Sequence, residues 1–504
     1  MSFLPDAAAF AAAYERGEAQ IVTTTLVADL ETPVSAFLKI AGERANSFLL
    51  ESVEGGATRG RYSMIGIDPD VIWRCRGDAS EINRRALTEA EAFEPCAEPP
   101  LLALRALVRE SRISLPEGSP PMAAGVFGYL GYDMVRQMER LPEAKPDVLG
   151  VPDAIFIRPT VMVVFDQVRD ELTVVSPVRP HAGVTATAAL EAAHERIERV
   201  IRALDAALPN AETADPFHEE VMPVSNTPPD EFQAMVEQAK EYIRAGDIFQ
   251  VVLSQRFEAP FALPSFTLYR ALRRVNPAPF LVYFNFGDFA LVCSSPEILV
   301  RLRDETVTIR PIAGTRRRGA TPHEDKALED ELLADPKERA EHLMLLDLGR
   351  NDVGRVAKIG TVKVTDSFFV ERYSQVMHIV SNVEGDIDPR RDALDALAAG
   401  FPAGTVSGAP KVRAMEIIDE LERDKRGIYA GAIGYFGADG EMDTCIVLRT
   451  AVVRNGRMYV QAGAGIVYDS VPESEQQECI NKARALFRAG EEAVRFAARA
   501  GRGQ

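Results

Sequence analysis

Two pairs of acidic residues, each spaced three apart, are the first feature of this sequence that could do chemistry: Glu338 with Glu341, and Glu475 with Glu478. Residues three apart share one face of a helix, so each pair can aim two carboxylates into one cleft. Carboxylates with waters and substrate oxygens suit octahedral Mg²⁺. The spacing equally fits a solvated helix face, because 75 acidic residues make such pairs by chance. His378, in Met377-His378-Ile379-Val380-Ser381, falls on a predicted strand. It is a candidate general base, with a satisfied structural histidine as the alternative.

Three further segments suggest anion binding. Gly404-Thr405-Val406-Ser407-Gly408-Ala409-Pro410-Lys411 is not a Walker loop, because Pro410 precedes Lys411 and Val412 follows it. Gly463-Ala464-Gly465 is not a dinucleotide fingerprint, because Tyr468 replaces its third glycine. Both can still let backbone N–H groups approach a carboxylate, or be ordinary turns. Pro311 to Gly319 carries Arg316, Arg317 and Arg318. It reads as a solvated basic turn or as the wall of an anion site.

The elements that must position these residues follow from periodicity. Val161–Phe165 and Leu172–Val175 are apolar runs around a polar stretch, a hairpin pattern. Leu190, Ala193, Ile197, Val200, Ile201 and Leu204 recur at helical spacing, and the helix is expected to stop near Pro209. The span from Pro209 to Pro229 holds five prolines among acids and small polar residues, a linker pattern. Thr227 is the expected N-cap of the next helix, with Phe232, Met235, Val236, Ala239, Tyr242 and Ile243 on one face. Gly246-Asp247 breaks it, and a strand is expected from Ile248 to Phe257. Asn455-Gly456 between two apolar runs is a hairpin signal and favours antiparallel sheets. The expected division is 1–210, a linker at 211–230, and 231–504.

The totals exclude several classes. A 504-residue chain with 46% hydrophobic and 26% charged residues is a globular protein of more than one core. A net charge of −18 repels nucleic acid and anionic membranes. Five scattered cysteines with no Cys-x-x-Cys pair argue against a disulfide framework or structural zinc and fit a reducing cytoplasm. No run reaches the length of a membrane helix, and the N-terminus lacks the basic start of a secretory signal.

In order and spacing, several stretches resemble the chorismate-utilising enzymes, most nearly the anthranilate synthase component I family. They are Leu49-Leu50-Glu51-Ser52, Pro311-Ile312-Ala313-Gly314-Thr315, Asp347-Leu348-Gly349-Arg350-Asn351-Asp352, Phe401 through Lys411, and Gly463-Ala464-Gly465-Ile466. The resemblance spans about Ala41 to about Ala489. It implies an α+β fold, with antiparallel sheets packed face to face and helices outside. The smaller N-terminal part would contribute to a tryptophan feedback site, and the larger part would bind chorismate. It implies Mg²⁺ held by Glu341 and Glu478, with Glu338 and Glu475 nearby. Gly314, Thr315, Tyr429, Arg449, Gly463, Ala464, Gly465 and Lys482 would bind chorismate. Glu297 would be the general acid, His378 the base and Thr405 its support.

Two positions sort the chain within the family. Relatives that activate water carry a lysine where Gln250 stands, and an amide is no base. Relatives that make aminodeoxychorismate carry a nucleophilic lysine where Ala313 stands. The implied reaction is chorismate plus ammonia to anthranilate plus pyruvate through 2-amino-4-deoxyisochorismate, the first committed step towards tryptophan. Aminodeoxychorismate synthase and aminodeoxyisochorismate synthase are the alternatives, and a dead tryptophan sensor is a third. Leu50, Glu51 and Ser52 with Pro279, Phe280 and Leu281 match the feedback site, although Phe280-Leu281 departs from the usual Tyr-Met. No cysteine sits in the Gly-Cys-x-Gly loop of a glutamine amidotransferase. That function is therefore expected on a separate partner, in a heterotetramer of two of each chain.

Overall fold

Two long strands, Thr58–Arg76 and Ala154–Asp166, set the architecture. They pair antiparallel, with a register shift between Pro69 and Val71. Such a shift bends a strand, and the two halves of the ribbon belong to different sheets. The computed structural model describes residues 2–54, 58–120, 122–142, 145–209, 223–373 and 376–497.

From the 161–166 half, one sheet extends through Glu171–Val178 to Gln20–Val27. In the other direction it runs through Ser47–Glu54, Phe280–Asn285, Ala290–Ser295, Thr450–Arg454 and Arg457–Ile466 to Gln250–Pro260. From the 154–157 half, the second sheet runs through Gly125–Leu130, Ala432–Gly437, Met442–Ile446 and Ile298–Arg303 to Thr306–Ile309. Val376–Asp386 then pairs with Thr306–Ile309 and Ile312–Arg317 on one edge and with Lys363–Arg372 on the other. Every one of these pairings is antiparallel.

Side-chain alternation sorts each strand between two layers. Phe48, Met64, Met162, Val282, Phe284 and Leu291 of the first sheet meet Phe127, Tyr129, Ile433, Tyr435 and Cys445 of the second in an all-buried interlayer core. The intervening residues, such as Leu49, Ile65, Val163, Tyr283 and Val292, face outward under helices Ala7–Glu15, Pro33–Ile40, Ala186–Asp205, Ser265–Val275 and Pro472–Ala497. The outer face of the second sheet lies under Pro100–Glu110, Pro336–Gly354 and Ala393–Gly400, while Pro229–Ala245 and Lys411–Leu421 pack on Gln250–Pro260 at the end of the first. This is the α+β arrangement the sequence implied, with two antiparallel sheets between helical layers.

Local expectations hold with small offsets. The helix expected after Thr227 is capped by Pro228 and runs Pro229–Ala245, because a second proline at N1 carries the preset φ. It ends at Gly246 with φ 83°, a left-handed turn that glycine adopts at no steric cost. The preceding helix stops at Asp205, short of Pro209. The strand expected from Ile248 begins at Gln250 and continues to Pro260. Asn455 and Gly456, with φ 51° and 70°, turn the hairpin between Thr450–Arg454 and Arg457–Ile466. Residues 211–222 of the expected linker lie outside the described residues, and the division into 1–210 and 231–504 stands as a proposal. Ser47–Glu54 and Gly125–Leu130 pair directly with strands of the later segment.

Phe48 is fully buried between the sheets, stacked on Phe127 at 4.6 Å and tilted against Phe284 at 5.2 Å. Phe48→Ala is expected to destabilise the protein by about 3–5 kcal/mol, read as a lower urea midpoint with an unchanged slope.

Candidate active site

Strand register places the central histidine of the candidate site. Thr315 pairs with His378, and a bulge at Gly314 separates this pair from Ala313 and Ile379. Gly314 has φ 71°, and a Cβ there would stand 3.1 Å from Glu338 Oε2. The bulge turns the Gly314 carbonyl onto His378 Nδ1 at 3.0 Å, with Thr315 Oγ1 at 3.1 Å. A carbonyl can only accept, so Nδ1 carries the proton and Nε2 presents its lone pair. Burial lowers the imidazole to about 4, reinforced by Arg449 and Lys482. It is therefore neutral at pH 7.

Glu297, which shares Arg449 with His378 as a charged neighbour, has the opposite tuning. The residue is 6% exposed, and burial pushes its carboxyl up to about 8. Thr405 donates to Oε1 at 3.0 Å and moderates that rise, as does the Ile312 N–H. A protonated acid and an unprotonated base thus share one cleft at neutral pH, the pairing that acid–base catalysis requires.

Arg449 acts on both. It adopts φ 47°, unusual for a non-glycine residue, and its carbonyl accepts the Ser294 N–H at 3.1 Å. Burial lowers its guanidinium, and Tyr373 and Glu297 stand nearby. Among the described residues it has no carboxylate partner. A half-buried, unpaired guanidinium fork is a receptor for an incoming carboxylate.

The glycines of Gly463-Ala464-Gly465 lie opposite Ser254, Leu253 and Val252. A Cβ at Gly463 would stand 2.8 Å from Leu253 O and 2.9 Å from Tyr429 Oη, and one at Gly465 would stand 2.6 Å from Gln250 Nε2. Gly463 therefore has no room for a side chain, and one at Gly465 would displace the Gln250 amide. Lys482 donates to Gly463 O at 2.9 Å and pairs with Glu478 at 2.7 Å.

Both acidic pairs occupy helices, Pro336–Gly354 and Pro472–Ala497. Glu341 is raised above the usual carboxylate range by burial and then by Glu338 and Glu478, while the Gln250 amide favours its charge. Glu475 is raised by burial and by Glu478. Carboxylates from two helices thus crowd one another, which a divalent cation would relieve. Glu338 is bound to Arg316 at 2.9 Å and Glu478 to Lys482 at 2.7 Å, which leaves Glu341, among the described residues, as the member without an ion pair. Among the described residues no three His, Cys, Asp or Glu side chains form a complete metal nest. The donor set fits Mg²⁺, which keeps several waters and takes only one or two carboxylates.

The basic loop differs from expectation. Residues 312–317 form a strand, and its charges are already spent. Arg316 binds Glu331, Asp335 and Glu338, Arg317 binds Glu324, and Arg318 binds Asp325. These arginines offer no free charge to an anion. The two expected feedback segments are adjacent strands, with Ser52 opposite Phe280 and Glu51 opposite Leu281. Glu51 is buried and accepts Tyr269 Oη at 2.5 Å and Arg273 at 2.7 and 3.0 Å. Leu50 lies in the interlayer core.

A model of the chorismate binding enzymes matches residues 48–488. The chain belongs to that family. This chorismate-binding enzyme is 59% identical over 494 residues to anthranilate synthase component 1 of Cereibacter sphaeroides, covering 98% of this chain and 99% of that one. It is 48% identical to the protein of that name from Thermus thermophilus, covering 93% and 97%. The crystal structure of anthranilate synthase component I from Streptococcus pneumoniae superposes with a TM-score of 0.75 at 39% identity, covering 85% of this chain and 92% of that one. Escherichia coli MenF, an isochorismate synthase, shares the fold with a TM-score of 0.70 at 19% identity, covering 96% and 100%. No helix among the described residues is long and apolar enough to cross a membrane.

The support of this family's site was not legible in sequence. Arg426, 2% exposed, binds Glu422 through both carboxylate oxygens and donates to Val406 O and Val252 O at 2.6 Å each. Glu422 Oε1 also accepts the Ser254 N–H and hydroxyl. Lys411, from the segment that is not a Walker loop, pairs with Asp352 at 2.8 Å. These contacts hold the turn that aims Thr405 at Glu297. Lys411→Met leaves the Asp352 carboxylate buried and unpaired. It is expected to cost about 3–5 kcal/mol, measured by denaturant unfolding, with Asp352→Asn in the same background recovering part of the loss.

Proposed function

We propose that this chain is the synthase component of an anthranilate synthase, converting chorismate and ammonia to anthranilate, pyruvate and water. The observation that carries the reading is Arg449, a half-buried guanidinium without a carboxylate partner among the described residues, placed beside a protonated Glu297 and a neutral His378. The near full-length similarity to proteins of that name supports it.

In this reading Arg449 holds the enolpyruvyl carboxylate, and Tyr429, Gly314, Thr315 and the backbone of Gly463, Ala464 and Gly465 enclose the ring. Lys482 adds a second positive charge. Glu297 gives its proton to the C4 hydroxyl, which leaves as water while ammonia bonds to C2. His378 Nε2 then takes the C2 proton, the C3–O bond breaks, and the ring becomes aromatic as pyruvate departs. Glu341 and Glu478 would hold Mg²⁺, whose contribution is to neutralise the ring carboxylate. Gln250 and Ala313 supply neither a base for water nor an amine nucleophile, which favours this reaction over those of the sister enzymes.

Ammonia would come from glutamine through a separate amidotransferase, two of each chain assembling together in the cytoplasm. Tryptophan would bind at the paired segments holding Leu50, Glu51, Ser52, Pro279, Phe280 and Leu281, and would bias the site through the shared sheet.

Purified chain supplied with chorismate, Mg²⁺ and ammonium is expected to form anthranilate, and His378→Ala to accumulate 2-amino-4-deoxyisochorismate. Formation of 4-amino-4-deoxychorismate or isochorismate by the wild type would move the function to a sister enzyme. The pH profile gives a second check. With a base near 4 and an acid near 8, kcat/KM should be flat across neutral pH and fall as pH rises through about 8. The Thr405 hydroxyl lowers the Glu297 carboxyl, so Thr405→Val should move that limb to higher pH.

A further inference from the structure

The His378 side chain is fixed along only one direction by Nδ1, and what fixes the rest lies on the neighbouring strand. Glu371 stands directly across from His378 in the register of Lys363–Arg372 and Val376–Asp386. Its carboxylate does not bond the histidine. Oε1 binds Arg310 at 2.5 Å, and Oε2 accepts the Tyr373 hydroxyl at 2.8 Å. The Tyr373 backbone is pinned at both polar groups, its N–H donating to Val376 O at 2.8 Å and its carbonyl accepting Arg318 at 2.6 Å. Its buried ring stands edge-on against the imidazole, 5.4 Å between centroids at 62°.

We propose that Tyr373, tethered by the Glu371–Arg310 pair, is a positioning residue that holds the His378 ring for proton removal and so governs whether the amino intermediate is carried on to the aromatic product or released. The proposal rests on the assignment of His378 as the elimination base. The geometry divides the work. Gly314 O fixes the tautomer, while the edge of Tyr373 blocks rotation of the imidazole out of the cleft. The tyrosine can do this only while its own ring is anchored. Its hydroxyl is spent on Glu371, so it is a brace and not a proton donor. The tether also keeps the Glu371 carboxylate turned towards Arg310, away from the imidazole N–H that Gly314 must receive.

The addition of ammonia needs Glu297 and Arg449 but not His378. A loosened brace should therefore spare chorismate binding and the first step and slow only the second. Tyr373→Phe removes the tether and keeps the ring, and Glu371→Gln weakens the tether from the other side. Each is expected to lower kcat for anthranilate about 5- to 50-fold with KM for chorismate within about 2-fold, and to raise the share of 2-amino-4-deoxyisochorismate in the product; the fall in kcat corresponds to about 1–2.3 kcal/mol at the elimination barrier. His378→Ala is measured alongside. If it accumulates the intermediate and neither Tyr373→Phe nor Glu371→Gln does, the brace is refuted and the base stands. If both brace variants raise KM with no intermediate, Tyr373 binds substrate and the proposal fails. If His378→Ala makes no intermediate, the base assignment falls and the proposal falls with it.

Discussion

One buried ion pair organises the catalytic end of this molecule. Arg426 and Glu422 lie one helical turn apart in sequence, and both are nearly sealed from solvent. A charge in that position is tolerable only if every donor and acceptor is met. Arg426 therefore reaches out to the carbonyls of Val406 and Val252, and Glu422 takes both donors of Ser254. The guanidinium lies 4.8 Å from the centre of the Tyr132 ring and 5.5 Å from that of Tyr429. The demands of one pair thus lock together the turn carrying Thr405, the strand behind Gly463 and the aromatic floor at Tyr429.

On that frame the cleft is tuned by burial more than by charge pairing. Burial is the largest influence on Glu297, His378 and Arg449, and in each it favours the uncharged form. His378 is a weak base because it is buried from water, and Arg449 and Lys482 further oppose its protonation. A dianionic substrate would cancel those two charges and strengthen the base at the moment it is needed.

The sequence carried the candidate site residues more plainly than their supports. Glu338 with Glu341 and Glu475 with Glu478 were legible because helical spacing is local, and His378 because it interrupts an apolar strand. Asn455-Gly456 announced its hairpin for the same reason. Arg426 carried no such mark, since three of its partners, Val406, Val252 and Tyr132, come from distant segments. Tyr373 and Glu371 become meaningful only once two strands are in register. Arg316, Arg317 and Arg318 misled because the acids that neutralise them belong to helices beginning only several residues later, at Pro322 and Pro336.

The interleaving of early and late strands has a consequence for synthesis. Gly125–Leu130 waits for Ala432–Gly437, and Gln250–Pro260 waits for Arg457–Ile466, before either ladder is complete. While the chain leaves the ribosome, these strands keep unpaired edges until nearly all of it has emerged. Contacts this distant in sequence slow folding and leave adhesive edges open meanwhile. Truncation within the last hairpin would leave the second sheet complete and the first without the strands that join Ala290–Ser295 to Gln250–Pro260.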